Sequence, residues 1–197
     1  MVVEINNVKK LKNEALTNKI PIMKDEGIKF LQTFIYKNKV KNILEIGTAV
    51  GYSAIMMASS SDEVFITTIE RDEKRYMEAL KNIKKFKLEN RISIIYKDAK
   101  NVKLDDTYDL IFIDAAKGQN KNLFLQFEHN LKKDGSIITD NMYFHGLVNK
   151  KEETIESKNL RSLVRKIKEY HVFLKENKEY ETEILEIGDG IAVSKRR

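Results

Sequence analysis

Four polar residues in the second half of the chain are spaced as a metal-binding and catalytic group would be. Asp114 directly follows one apolar run, and Asp140 and Asn141 directly follow the next. If both runs are parallel strands, their carboxyl ends bring two carboxylates and one amide oxygen together. Such hard oxygen ligands suit Mg²⁺, Mn²⁺ or Ca²⁺ rather than zinc. Lys117, three residues after Asp114, is close enough to serve the same site as a general base.

A second group of residues surrounds a glycine turn. The segment 44–53 reads LEIGTAVGYS, and Gly47 permits a sharp turn and a close ligand approach that a Cβ would obstruct. Glu70 ends the next predicted strand, 19 residues past Gly51, where a carboxylate can accept both hydroxyls of a ribose. Asp98 follows the third predicted strand and either binds an adenine amino group or caps a turn. Because the GxGxxG pattern is missing, a ligand without a pyrophosphate is favoured.

Both groups depend on an alternation of strands and helices that begins near residue 40. Seven strands are predicted at residues 42–46, 64–69, 91–96, 108–113, 135–139, 181–187 and 191–194. Helices are predicted at residues 52–60, 72–87, 120–131 and 158–170. Two amphipathic helices separated by Pro21 precede them, and the first has its apolar residues at Ile5, Val8, Leu11, Ala15 and Leu16. This pattern predicts an α/β fold with a Rossmann-like seven-stranded sheet, helices on both faces and a C-terminal antiparallel hairpin.

Length and composition limit the function classes. The 197 residues, 42% of them hydrophobic, suffice for a single globular domain over residues 1–197. The chain has no cysteine, which excludes disulfides and thiolate chemistry. It has no apolar run of membrane-spanning length and no signal-peptide pattern, so we expect a cytoplasmic protein without a membrane partner. The net charge of +6 favours an anionic partner only weakly.

Four motifs occur in the order and spacing of a known family. LEIGTAVGYSA, TTIERDE, FIDAAKGQ and TDNMYFHG follow one another between residues 44 and 146. Together with the segment that starts near Ile22, they make the chain resemble the cation-dependent, class I S-adenosylmethionine O-methyltransferases of the catechol and caffeoyl-CoA type. The resemblance implies an enzyme that uses S-adenosylmethionine and a divalent cation, Mg²⁺ in the first place and Mn²⁺ or Ca²⁺ as alternatives.

The resemblance also assigns roles to individual residues. The implied cofactor-binding residues are Met23, Glu45, Gly47, Ser53, Glu70, Asp98, Ala99 and Asp114. Among them, Glu70 corresponds to the ribose ligand, and Asp98 and Ala99 correspond to adenine contacts. The implied metal ligands are Asp114, Asp140 and Asn141. Lys117 corresponds to the catalytic lysine, and Asp114 is expected to take part in catalysis beside it. The helices of residues 1–40 are expected to cover the cofactor and acceptor site, and a homodimer is expected.

The acceptor should carry two adjacent oxygens. If both bind the cation, the chelate holds one of them against the methyl group of S-adenosylmethionine. Catechols and 5-hydroxyuridine both meet this requirement. The chain resembles, more loosely, bacterial enzymes that convert 5-hydroxyuridine at the tRNA wobble position, in the anticodon, to 5-methoxyuridine. We name as the basic stripe the helical positions Lys158, Arg161, Arg165 and Lys168, which are typical of phosphate contacts or of a solvated face. We therefore predict tRNA as the acceptor, with a small catechol-like or phenolic molecule as the alternative.

Other readings stay open at this point. Tyr143 and Phe144 could stack on an acceptor ring or anchor a loop. His129 and His171 are expected on helix surfaces, and His145 is expected to be a loop residue rather than a base. A nicotinamide-dependent oxidoreductase would need the missing glycine pattern, and an RNA-binding module without catalysis would not need the acidic residues and the lysine. The methyltransferase interpretation explains both groups of residues.

Overall fold

The structure is a computed structural model that describes residues 5–197, without the side chain of Ile5. The predicted apolar role of Ile5 therefore lies outside the described residues. The chain divides into two compact units, of which the first ends at Leu104 and the second comprises Asp105–Arg197. The single domain predicted from the sequence, with N-terminal helices that cover the site, stays a prediction.

From residue 5 onward, the first unit contains four α-helices and three parallel strands. The helices are α1 (Ile5–Thr17), α2 (Asp25–Lys37), α3 (Tyr52–Ala58) and α4 (Glu73–Lys85). The strands are β1 (Asn42–Ile46), β2 (Phe65–Glu70) and β3 (Ile92–Tyr96). Ile43, Ile66 and Ile92 lie side by side in the parallel register, and all three are buried. Branched apolar side chains at paired positions stabilise this part of the sheet.

The second unit contains two longer helices and four strands. The helices are α5 (Asn120–Phe127) and α6 (Lys158–Glu176), and the strands are β4 (Tyr108–Ile113), β5 (Leu131–Thr139), β6 (Tyr180–Leu185) and β7 (Ile191–Arg196). β4 and β5 are parallel, whereas β7 is antiparallel to both β5 and β6. The rings of Phe124, Tyr170, Phe173 and Tyr180 meet at centroid distances of 5.0–6.4 Å. This aromatic cluster joins α5, α6 and β6.

The seven strands form one sheet in the order β3-β2-β1-β4-β5-β7-β6. The predicted Rossmann-like methyltransferase fold, mostly parallel with a C-terminal antiparallel pair, is confirmed.

Three predicted boundaries in the second unit are wrong. The helix predicted to reach residue 131 ends at Phe127, because a 3₁₀ turn over Glu128–Asn130 leads directly into β5. β5 begins at Leu131 rather than at residue 135, since Leu131 already pairs with Tyr108 in the parallel ladder. The helix predicted to end at residue 170 continues to residue 176, because the buried Leu174 extends its apolar face by a further turn.

Charge is distributed unevenly over the two units. Up to Leu104 the chain has 20 basic and 13 acidic residues, whereas Asp105–Arg197 has 16 basic and 17 acidic residues. The net positive charge therefore belongs entirely to the first unit. Over residues 5–197, no helix is at once long enough and apolar enough to cross a membrane.

Candidate active site

The glycine turn after β1 has the tight backbone that the sequence predicts. Gly47 and Gly51 both have positive φ angles, of 108° and 82°, and Ala49 between them has a φ of 46°. The N–H groups of Gly47 and Thr48 both donate to the carbonyl of Ile69 at the end of β2. The turn is thereby fixed to the neighbouring strand, and the N–H of Ala49 within it donates to the side chain of Glu70.

Glu70 is held by backbone N–H donors on both of its oxygens. Its Oε2 accepts from the N–H of Ala49 at 2.8 Å, and its Oε1 accepts from the N–H groups of Arg71 and Asp72, both at 2.9 Å. The side chain is 6% exposed. A carboxylate has about four lone-pair sites, so these three bonds orient the group and still leave capacity for a hydroxyl donor. The predicted ribose contact remains a prediction, and this geometry is compatible with it.

Glu45 and Ser53 are brought together, but in a buried network. Ser53 Oγ donates to Glu45 Oε1 at 2.5 Å, and Thr68 Oγ1 donates to Glu45 Oε2 at 2.6 Å. Thr68 also bonds Thr48 in the glycine turn at 2.6 Å. Glu45 has no exposed surface, so the structure shows it as a support for the turn. Its direct contact with a cofactor stays a prediction.

The remaining predicted cofactor residues of the first unit lie at two other places. Asp98 caps a short 3₁₀ turn that begins at Ala99, and its carboxylate also lies 3.4 Å from Arg71 Nη1. Met23 is buried just before α2, where it packs so closely on Gly27 that a Cβ there would lie 2.6 Å from the Met23 side chain. The structure thus groups Asp98 with the Glu70 segment through Arg71. Among the contacts described for residues 5–197, none joins Met23 to the glycine turn.

Asn82 also supports the glycine turn, and no pattern in the sequence marks it. Asn82 is buried on α4, and its amide donates to the carbonyl of Val50 at 2.9 Å. A single asparagine on a mostly polar helix carries no pattern that marks a bond to a turn 32 residues away.

In the second unit, the two predicted carboxylates come together as expected. Ile113 and Thr139 are paired in the parallel register, so Asp114 and Asp140 follow at neighbouring strand ends. The N–H of Asp140 donates to the carbonyl of Ile113 at 3.1 Å. Burial and the charge of Asp114 raise the pKa of Asp140 to about 7, and burial raises the pKa of Asp114. Lys117 is near enough to oppose both shifts electrostatically.

This donor set fits a divalent cation. Two carboxylates at adjacent strand ends repel one another, and Asn141 directly follows them with a side-chain amide. The Asp140 Oδ1 accepts from the Asn141 N–H at 2.7 Å, which orients the carboxylate. A hard cation would relieve the repulsion with oxygen ligands alone. Within residues 5–197 no cluster of three or more His, Asp or Glu side chains is arranged to hold a metal, so the amide oxygen would have to be the third protein ligand.

The loop after Asp140 has a strained backbone. Asn141, Phe144 and His145 have φ angles of 62°, 45° and 55°, and Gly146 follows with 76°. Positive φ is costly for side chains with a Cβ and persists only where surrounding contacts impose it. We call residues 141–149 the acceptor loop, and three sets of contacts hold it.

The first two sets come from the turn between β6 and β7 and from α6. The N–H groups of Met142 and Tyr143 donate to the carbonyls of Gly190 and Asp189, at 3.0 and 2.8 Å. A Cβ on Gly190 would lie 2.8 Å from the Tyr143 ring, so only glycine fits there. His171 Nε2 donates to the Met142 carbonyl at 2.8 Å. His171 is therefore a half-buried anchor of the loop rather than the surface residue that the sequence suggested.

The third contact joins the loop to the predicted catalytic lysine. Lys117 Nζ lies 5.6 Å from the centroid of the Phe144 ring, within the range of a cation–π interaction. Phe144 thus anchors the loop, and its ring also packs at 5.7 Å against the imidazole of His145.

The basic stripe is mostly engaged within the chain. Arg161 donates to the carbonyl of Ile155 at 2.7 Å, and Lys168 donates to the carbonyl of Lys150 at 3.1 Å. Arg165 forms an ion pair with Glu152 at 2.9 Å. Three of the four positions therefore hold the segment that precedes α6, which reduces the value of the stripe as a phosphate-binding surface.

Comparisons with known proteins agree on one family. A family model described as O-methyltransferase matches residues 2–197. The chain is 32% identical over 179 residues to the caffeoyl-CoA O-methyltransferase of Stellaria longipes, covering 84% of this chain and 73% of that protein. A crystal structure from Staphylococcus aureus, provisionally described as a caffeoyl-CoA O-methyltransferase, superposes with a TM-score of 0.91 at 40% identity, covering 96% and 92% of the two chains. The Bacillus cereus O-methyltransferase in complex with SAH shares the fold, with a TM-score of 0.82 at 24% identity and coverage of 98% and 92%.

Proposed function

The chain belongs to the O-methyltransferase family, and from this premise we propose that it methylates one of two adjacent oxygens of its acceptor with the help of a divalent cation. It is an S-adenosylmethionine-dependent enzyme of the caffeoyl-CoA O-methyltransferase type. The observation that supports the proposal is the pair Asp114 and Asp140, which lie at neighbouring strand ends near Lys117, and in which burial and the charge of Asp114 raise the pKa of Asp140 to about 7.

In the proposed mechanism, the first unit binds and orients the cofactor. Glu70, fixed by three backbone N–H groups, accepts from the ribose at its remaining lone-pair site, and the turn from Gly47 to Gly51 lets the cofactor approach the backbone closely. Asp98 and Ala99 contact the adenine, and Met23 lies against the cofactor. Asp114 also contacts the cofactor in this proposal. Orientation of this kind lowers the barrier of an in-line methyl transfer by several kcal/mol.

In the same proposal, residues of the second unit bind the acceptor and remove its hydroxyl proton. Asp114, Asp140 and Asn141 would hold Mg²⁺, or Mn²⁺ or Ca²⁺ instead, and a bound cation stabilises the negative charge that develops on the acceptor oxygen. Lys117 Nζ takes the hydroxyl proton as the general base. Phe144, beside Lys117, provides a ring face on which a flat acceptor can stack.

For the acceptor, we propose 5-hydroxyuridine at the wobble position of tRNA, with 5-methoxyuridine as the product. Its 5-hydroxyl and O4 are adjacent oxygens, and the net charge of the first unit favours a polyanion. The alternative is a small catechol-like or phenolic acceptor, which the names of the plant relatives favour. We further propose a homodimer, which light scattering on the purified protein tests directly.

One enzyme preparation with two acceptors decides between these possibilities. Purified protein is incubated with S-adenosylmethionine and Mg²⁺, and with either hydroxyuridine-containing tRNA or a simple catechol, and the products are measured by mass spectrometry. The tRNA proposal expects the modified nucleoside from the first acceptor. Efficient methylation of catechol, with tRNA left unmodified, would establish the small-molecule alternative. No methyl transfer to either acceptor would contradict the demand for adjacent oxygens.

The basic stripe provides a second test of the tRNA proposal. The exposed residues Lys158 and Arg165 are changed together to Ala, and tRNA binding is measured over a range of salt concentrations. If both contact phosphates, affinity falls and the salt slope decreases by roughly one per contact. Glu152→Gln is the matched control, because it breaks the same Arg165 ion pair without removing a positive charge. Equal losses of tRNA affinity in both variants would show that the Arg165–Glu152 ion pair only holds the segment that precedes α6.

A further inference from the structure

Asp189 lies in the turn between β6 and β7, and its carboxylate is incompletely satisfied. The side chain is only 6% exposed. Its Oδ1 accepts from the backbone N–H of His145 at 2.7 Å. Its Oδ2 is buried and has no hydrogen-bond partner among the described residues. A buried carboxylate oxygen without a donor is costly, so a donor is expected close by.

The imidazole of His145 supplies the donor that faces this oxygen. His145 Nδ1 lies 3.6 Å from Asp189 Oδ2. This separation is about 0.7 Å longer than an ordinary hydrogen bond, which a small rotation of the exposed ring would close. Asp189 already holds the backbone of His145, at a residue whose φ of 55° is unfavourable without such support. Both oxygens of one buried carboxylate are thus directed to one residue.

We propose that Asp189 and His145 form a pair in which His145 contacts the methyl acceptor. A hydrogen bond from Nδ1–H to Asp189 fixes the tautomer, so that Nε2 becomes a hydrogen-bond acceptor. The two ring nitrogens point in different directions, and Nε2 therefore faces away from Asp189. His145 is the contact residue, and Asp189 is a positioning residue that acts through it.

The surroundings of His145 indicate which part of the acceptor it contacts. Its ring packs on Phe144, whose ring in turn lies 5.6 Å from Lys117 Nζ. A flat acceptor stacked on Phe144 would present its polar edge to Nε2. The group recognised is an O–H or N–H donor on that edge, such as the N3–H of a hydroxyuracil ring or the second hydroxyl of a catechol. This contact rests on the proposed O-methylation, whereas the Asp189–His145 bond does not.

The bond is tested without any acceptor. The histidine ring nitrogens of ¹⁵N-labelled protein are observed by long-range ¹H–¹⁵N correlation at about pH 8, where a histidine with an ordinary pKa is neutral. We expect the Nδ1–H tautomer for His145, assigned by its loss in His145→Gln, and the Nε2–H tautomer for His171, which donates from Nε2. Asp189→Asn should return His145 to the Nε2–H form. An Nε2–H tautomer of His145 in the unmodified protein overturns the pair.

The contact is tested by kinetics with whichever acceptor is methylated. His145→Gln changes an exposed side chain, so circular dichroism should match the unmodified protein, and it should raise KM for the acceptor about tenfold while S-adenosylmethionine affinity stays the same. His129→Gln, on an exposed 3₁₀ turn away from the loop, is the matched control and should have no effect. An unchanged KM in His145→Gln overturns the contact. If the tautomer is as expected but neither acceptor is methylated, the proposed acceptor class fails and the Asp189–His145 bond stands.

Discussion

The predicted cofactor residues and the predicted acceptor residues differ in how far the chain itself satisfies their polar groups. In the first unit, Glu45 and Glu70 each have donors on both oxygens. In the second unit, burial and the charge of Asp114 raise the pKa of Asp140, and one oxygen of Asp189 has no hydrogen-bond partner among residues 5–197. The first group is organised before any ligand arrives. The second group is organised only in part by the contacts described for residues 5–197.

The same difference appears in the backbone. The turn at Gly47 and Gly51 uses glycine at two of its positive φ angles, where the conformation costs little. The acceptor loop places Asn141, Phe144 and His145 at positive φ, where side chains make it costly. Strain and incompletely satisfied acids coincide in the region where we propose that acceptor and cation bind.

The largest expected effect comes from removing a carboxylate of the acceptor region. Asp140→Ala should reduce the methyl-transfer rate at least about a hundredfold, because charge stabilisation by a cation is worth several kcal/mol. S-adenosylmethionine affinity, measured by calorimetry, should be largely spared. EDTA should abolish activity in the unmodified protein, and Mg²⁺ or Mn²⁺ should restore it. The control is Asp134→Ala, which changes an exposed aspartate on β5, the strand that Asp140 follows. Full activity in the presence of the chelator would contradict the metal assignment.

The next effect comes from breaking the organised region. Glu70→Ala should weaken S-adenosylmethionine binding by about 1.5–3 kcal/mol, the typical value of hydrogen bonds to a charged group. It also leaves the N–H groups of Ala49, Arg71 and Asp72 without their acceptor, so the melting temperature should fall as well. Calorimetry and thermal unfolding measure the two effects. The control Glu73→Ala, at an exposed glutamate on α4, should change neither the cofactor affinity nor the melting temperature. An unaltered cofactor affinity in Glu70→Ala would show that Glu70 does not bind the cofactor.

A smaller effect should follow from pH in the metal-free protein. Burial and the Asp114 charge raise the pKa of Asp140 from 3.8 to about 7. Between these values the folded protein binds more protons than the unfolded chain, so the free energy of unfolding falls as pH rises. We expect a loss on the order of 1 kcal/mol or more, or roughly 2–4 °C in melting temperature for each kcal/mol.

A cation should oppose this loss, because it stabilises the ionised carboxylates. Thermal unfolding is therefore measured between about pH 5 and pH 8, in EDTA and in Mg²⁺. The stabilisation by Mg²⁺ should grow with pH, and Asp140→Asn should flatten the slope in EDTA. A melting temperature that rises with pH in EDTA would show that the pKa of Asp140 is not raised by burial and by the charge of Asp114.

The smallest effect should come from the buried core beneath the acceptor region. Tyr170 on α6 bonds Thr139 at 2.9 Å, and burial raises the pKa of its hydroxyl. Tyr170→Phe removes this bond and should cost about 1 kcal/mol of stability, with the catalytic rate unchanged. Denaturant unfolding and a rate assay test both parts, with the exposed Tyr36→Phe as control. A large loss of the methyl-transfer rate would show that the Tyr170–Thr139 bond also positions the acceptor loop.

The fold, and the places that the two groups of predicted site residues take in it, follow from the sequence for a physical reason. Parallel strands followed by helices leave a strong alternation, and a functional residue directly after a strand is placed by the strand itself. Asp114 and Asp140 are of this kind, since the register of β4 with β5 brings them together. The fold, confirmed by the observed sheet order, and this pairing of acids therefore required no knowledge of long-range contacts.

Other features depend on contacts between distant segments and leave no local pattern. Asp189 bonds a residue 44 positions away, and His171 bonds one 29 positions away. The basic stripe is the reverse case, because its helical spacing predicts the shared face correctly, whereas its partners on residues 150–155 leave no local pattern. A pattern on one helix predicts which face its residues share, and it does not predict what they bind.

The uneven charge of the two units bears on how an acceptor is captured. The excess of basic residues up to Leu104 creates a positive potential that reaches about 8 Å into solution at physiological ionic strength. A polyanion is drawn toward this potential and collides more often, whereas a neutral phenol diffuses without guidance. For a polyanionic acceptor, added salt should then reduce kcat/KM far more than kcat. For a neutral phenol both constants should be almost indifferent to salt, so ionic strength alone distinguishes the two kinds of encounter.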